Sequence, residues 1–138
     1  MSYDNGKPIR YAMDQITMTS TDKVRVFRGP KGKRGRLVDY GIDGISTTTA
    51  GATNTPKVSV GTVASAAAYG ALFDVGALTA PEAKSVASTY RQTDTGWTTQ
   101  MTNPYIAADT LVQLTCIAAT GGGAAGVGNP FMIIEWED

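Results

Sequence analysis

The sequence contains no histidine and a single cysteine, Cys116. Without histidine, the chain cannot by itself build a Ser-His-Asp or Cys-His nucleophilic device, or a histidine-ligated zinc site. With one cysteine it cannot close an internal disulfide, so cysteine usage assigns no redox compartment. Charged residues make up only 17% of the chain, and twelve basic side chains balance twelve acidic ones, so net charge points to no partner. Aromatics are sparse, and the six tyrosines are dispersed without a stripe that would mark a sugar platform. The longest apolar-leaning run, Ala64 to Phe73, falls far short of the ~20 residues of a membrane span. The N-terminal stretch has neither an apolar h-region nor a small-residue cleavage site. A protein made without export and without a membrane partner is expected. What the chain has in quantity is glycine, threonine, alanine and serine, in a length of 138 residues that suits one domain. Surface scaling gives about 6,800 Å² folded against about 20,900 Å² unfolded, enough burial for a core without staples.

Strand signals dominate. Lys23 to Arg28 alternates, with Val24 and Val26 on one face and the basic residues on the other. Arg36 to Ile45 continues extended, interrupted by Gly41 and Gly44, which imply a bulge or a close backbone approach. Lys57 to Val60 and Ala68 to Val75 read as further strands, and Ser46 to Thr55 as an exposed polar loop. Thr79 to Ser88 is the one plausible helix, with Thr79 as cap, Pro81 near the first turn and Glu82 in capping-box spacing. Trp97 to Met101 reads as a strand. Thr110 to Ala119 is a long strand with Val112, Leu114, Cys116 and Ala118 on one face. A glycine-rich connection and a closing strand, Phe131 to Trp136, complete the chain. Short strands punctuated by Gly/Pro turns predict a mainly β, single-domain antiparallel sandwich or barrel, jelly-roll-like, with at most one short helix. Residues 1–16 read as an extended N-terminal arm that gains order by lying on a neighbour, and residues 17–138 as the sandwich domain.

Three motifs bear on chemistry. Gly121, Gly123 and Gly126 match G-x-G-x-x-G, but no room remains for the helix and second parallel strand that a dinucleotide site requires. Asp39 and Asp43 stand four apart without the D-x-D-x-D-G pattern of a cation loop. A carboxylate enzyme would need Asp39, Asp43, Asp74 or Asp109 gathered in one pocket with opposed environments; the expectation is no enzyme, no cofactor and no metal. The strongest feature is basic: Lys23, Arg25, Arg28, Lys31, Lys33, Arg34 and Arg36 hold seven of the twelve basic residues. Gly32 and Lys33 are followed by Arg34, so this is no phosphate-binding P-loop. It reads as a solvated hairpin loop or as a docking loop for an acidic protein surface. Nucleic acid ranks below both, since the domain is neutral and only Phe27 lies within the tract to stack a base. Cys116, on an apolar strand face, reads as a small hydrophobe.

The C-terminal third, Tyr105 to Thr115, then Thr120 to Asn129 rich in glycine and alanine, then Phe131 to Trp136, resembles the ending of small tailed-bacteriophage virion proteins, the capsid decoration (cement) proteins and related head-fibre or tail domains. The resemblance covers about 35 residues and is a strand–loop–strand pattern with no catalytic signature. It implies a protein synthesised in the host cytoplasm that binds the major capsid protein on the outer surface of the virion and strengthens it. A homo-oligomer, with a trimer favoured, is implied too. Contact is expected through the arm, at Tyr3, Lys7, Arg10 and Tyr11, and through the basic loop, at Arg28, Lys31, Lys33, Arg34 and Arg36. The alternative is a receptor- or glycan-binding domain of a head or tail fibre. That reading requires surface aromatics gathered in one groove, which a cement protein does not.

Overall fold

Alternation of apolar and polar residues over most of the chain puts the backbone into strands, and they close into two sheets. The computed structural model describes residues 8–79 and 82–137. In chain order the elements are β1 (Pro8–Ala12), β2 (Ile16–Thr17), β3 (Lys23–Arg28), β4 (Gly35–Thr47), β5 (Ala52–Asn54), β6 (Lys57–Gly61) and β7 (Gly70–Asp74). Then come β8 (Glu82–Ser85), α1 (Val86–Thr89), α2 (Thr95–Gln100), β9 (Tyr105–Ile106), β10 (Leu111–Ile117), β11 (Thr120–Gly122) and β12 (Val127–Trp136). The first sheet runs β1-β12-β4-β8, with β2 beside β12 and β9 beside β4; the second runs β3-β10-β6-β7. A two-stranded ribbon joins β5 to β11. The fold is mainly β, antiparallel and sandwich-like, as the strand pattern predicts. Its accessible surface, 6859 Å², agrees with the size scaling.

The core lies between the sheets. Leu37, Tyr40, Ile42, Met132, Ile134 and Trp136 face it from the first, and Val58, Val60, Phe73, Val112, Leu114 and Cys116 from the second. The expected face of β10 is therefore the core face, and Cys116 packs there as a small apolar group. Burial, with the Asp22 carboxylate adding to it, pushes its thiol up to about 12. Gly41 answers to the close approach expected of it. A Cβ there would stand 2.2 Å from the Lys84 carbonyl oxygen, so only glycine lets β8 lie against β4.

Several elements differ from expectation. The chain from Pro8 is not an arm apart from the domain: β1 pairs with β12 over Pro8↔Glu135 to Ala12↔Phe131, and β2 pairs with β12 as well. The apolar stretch Phe131–Ile134 offers β1 a partner within its own sheet. Tyr3 and Lys7 lie outside the described residues. The helix expected from Thr79 begins only at Val86. Glu82–Ser85 is drawn into pairing with β4, and Ser85 caps α1 in a reciprocal box with Ser88. The Thr79 N–H still meets Glu82 Oε2 (2.5 Å), without a helix around it. Trp97 to Gln100 is helical, not extended, so there are two short helices rather than one. Within the expected loop 46–55, Thr49 is fully buried. Its Oγ1 donates to the Gly76 carbonyl (2.7 Å) and accepts from the Leu78 N–H (2.6 Å). Among the described residues, no helix is long and apolar enough to cross a membrane.

Candidate interaction surface

The basic tract is mounted on the core by one side chain. Gly29, just after β3, and Gly35, at the start of β4, both lie against the Trp136 ring; a Cβ at either would stand 2.2 Å or 2.7 Å from it. No side chain larger than hydrogen fits at these positions without moving a buried indole. The Trp136 Nε1–H donates to Tyr11 Oη (2.9 Å), and Tyr11 packs on Phe27 at 5.2 Å between ring centroids. The arm residue Tyr11 and the base of the basic loop thus meet at Trp136. Between the two glycines the loop is a tight turn, closed by the Lys33 N–H on the Pro30 carbonyl (3.2 Å). Asp109, from across the sheet, holds it: its Oδ1 accepts from the Gly32 N–H (2.9 Å), and its carbonyl from Arg28 Nη1 (3.4 Å).

The remaining cations divide by role. Arg34 pairs with the buried Glu137 (2.8 Å), and Arg36 with Glu135 (3.3 Å), locking the loop's return onto β12. Arg10 pairs with Asp43 (2.9 Å) and lies over the Phe131 ring. Lys31 and Lys33 carry no ion pair among the described residues, and they stand at the tip. Of the contact residues expected from sequence, Arg10, Arg34 and Arg36 therefore act first as fasteners, while Arg28, Lys31 and Lys33 carry no ion pair among the described residues.

The carboxylates are dispersed among structural tasks. Asp39 Oδ1 accepts from the Tyr40 and Ala87 N–H groups (2.9 Å each). Burial pushes its carboxyl up, and those hydrogen bonds partly offset the shift. Asp74 holds the Thr55 hydroxyl and the Gly76 N–H (2.8 Å), while Asp43 and Asp109 serve as above. Among the described residues, no group of three or more Cys, Asp or Glu side chains could hold a metal ion.

A second feature was not legible in the sequence. Trp97 of α2, Met101 just after it, Pro104, Tyr105 of β9, Gln92, and Arg36 of β4 line a cleft of about 160 Å³. Tyr105 is 59% exposed at its mouth. The grouping was hidden because it joins four separate stretches of chain, at Arg36, at Gln92, at Trp97 and Met101, and at Pro104 and Tyr105, which only the tertiary fold brings together. No family model matches the sequence, no curated protein is detectably similar to it, and no solved structure matches its fold.

Proposed function

We propose that this chain is a structural protein of a tailed-bacteriophage particle. It is a decoration protein that docks as a homo-oligomer, with a trimer favoured, on the outer face of the capsid and stabilises the shell. The observation that carries the reading is the mounted basic loop: two ammonium groups without an ion pair among the described residues, on a turn whose ends are pinned by a buried tryptophan. Such a loop steers docking onto an acidic protein surface. Because it is already ordered, it loses little freedom on binding. Stabilisation then follows mass action, about 2.7 kcal/mol per site at a hundredfold excess over Kd, repeated over symmetric sites. Phe27 is turned against Tyr11 rather than outward, which leaves the tract no base-stacking platform. The test is co-sedimentation with phage heads across a salt series. Charge reversal at Lys31 and Lys33, which leaves the Arg34–Glu137 pair in place, weakens docking and flattens its salt dependence; an unchanged salt profile removes the loop from the interface.

One observation favours the second reading, a glycan-binding domain of a fibre. The Trp97–Tyr105 cleft gathers two aromatics beside a guanidinium and an amide. It is smaller than the roughly 300–1,000 Å³ of drug-sized sites, so it would take a single sugar unit. Titration with a panel of monosaccharides, repeated on Trp97→Ala, tests this. Saturable binding lost in the variant supports the glycan reading, and no binding by any sugar ends it.

A further inference from the structure

The free edge of β3 deepens the decoration reading, on which it rests for the partner's identity. β3 ends the second sheet, with β10 on one side. Among the described residues, no backbone group of Lys23–Arg28 bonds to anything beyond β10. Its valines face solvent: Val24 is 54% exposed and Val26 41%, opposite Thr115 and Gln113 of β10, with the exposed Leu111 further along the same face opposite Arg28. Lys23 and Arg25 alternate with the valines on the opposite face. Arg25 spreads over the Phe27 ring, and its guanidinium reaches the Ala12 carbonyl (3.5 Å). Arg28 ends the strand on the face of the valines, and Lys31 and Lys33, without an ion pair among the described residues, lie just beyond it.

The geometry points to strand addition: β3 accepts an extended segment of a partner protein in which apolar residues alternate with aspartate or glutamate. An added strand satisfies the idle backbone groups of β3. Side chains of period two then place apolar groups on the Val24–Val26 face and carboxylates beside Lys23 and Arg25. A second copy of this chain fits less well, because it would lay Lys23, Arg25 and Arg28 against the same three cations, and like charges across a strand pair repel.

The probe is a synthetic ten-residue peptide alternating valine and glutamate, titrated against the whole protein, with hydrogen exchange followed amide by amide. Binding should slow exchange in β3 and leave β7 unchanged. A lysine-for-glutamate peptide should bind at least about tenfold more weakly, as expected where like charges meet. A peptide N-methylated along one edge, tested on the unaltered protein, should bind no better than a scrambled one. The doubly exchanged protein, Lys23→Glu with Arg25→Glu, should reverse the preference between the two peptides. Equal binding of both peptides overturns the proposal. So does protection in β3 that rises with protein concentration alone, which would assign the edge to a second copy. Binding to heads that survives the double exchange unaltered sinks this inference and spares the decoration reading. Peptide addition without any binding to heads does the reverse.

Discussion

At the β7 edge, carbonyls meet donors from outside the sheet: Tyr69, just before the strand, takes the Asn103 N–H (3.3 Å), and Ala71 takes the Tyr40 hydroxyl (2.7 Å). The Gln100 amide, oriented as its neighbours require, donates to Ala71 and Leu72 (3.2 and 3.3 Å). At β3, the opposite edge of the same sheet, no such donors or acceptors arrive among the described residues; three cations and two exposed valines stand there instead. An unpaired edge invites association, and proteins usually cover it or shorten it. Here one edge is covered by a helix and a core tyrosine, and the other is left accessible but charged. The difference separates a part whose hydrogen bonds hold the fold from a part whose groups are available to something else.

That separation can be broken experimentally. Trp136→Ala should have the largest effect, about 3–5 kcal/mol by denaturant unfolding, as for other buried Trp truncations. It removes the support beneath the end of β3 and the loop together, so docking should fall even where the fold persists. At the closed edge, Tyr40→Phe deprives Ala71 of its hydroxyl donor in a buried setting and should cost about 1–2 kcal/mol, with docking to heads unchanged once the protein is folded. Asp39→Asn keeps both N–H bonds on Oδ1 while removing a partly buried charge. The Asp39 carboxyl is pushed up in the folded state, so its stabilising contribution is full in acid and is lost as pH rises through the folded value. The variant should accordingly gain over the wild type at neutral pH, and the gain should vanish in acid; a difference that grows in acid would contradict this sign. Smallest in stability is Val24→Ser at the open edge. It should shift unfolding by no more than about 0.5 kcal/mol yet weaken binding to heads.

The strands that pack by period two were readable in the residues: β10, with Val112, Leu114 and Cys116 inward, and β12, with Met132, Ile134 and Trp136. The Gly41 contact was readable too, because a glycine inside a strand pattern has few other uses. What failed had tertiary causes. Trp97, Thr98 and Thr99 carry strand propensity, but packing Trp97 and Met101 into the core cluster outweighs it. Glu82–Ser85 has helix-forming residues but lies where β4 needs an edge partner. Thr49 looked like loop polarity, and no local signal announces that its hydroxyl ties the 48–50 turn to Gly76 and Leu78. At the interaction surface the seven cations were plain, but their division was not: the partners Glu135, Glu137 and Asp109 lie about a hundred residues away for Arg34 and Arg36, and 77 for Gly32. Trp136 as the hinge between arm and loop was equally hidden, since Gly29 and Gly35 read only as turn residues.

The most direct test of the open-edge account is hydrogen exchange on the protein bound to phage heads, compared strand by strand with the free protein. Exchange is expected to slow in β3 and the 29–34 loop, with β7 at its free rate. Equal rates in β3 with and without heads, while the protein remains bound, would contradict it.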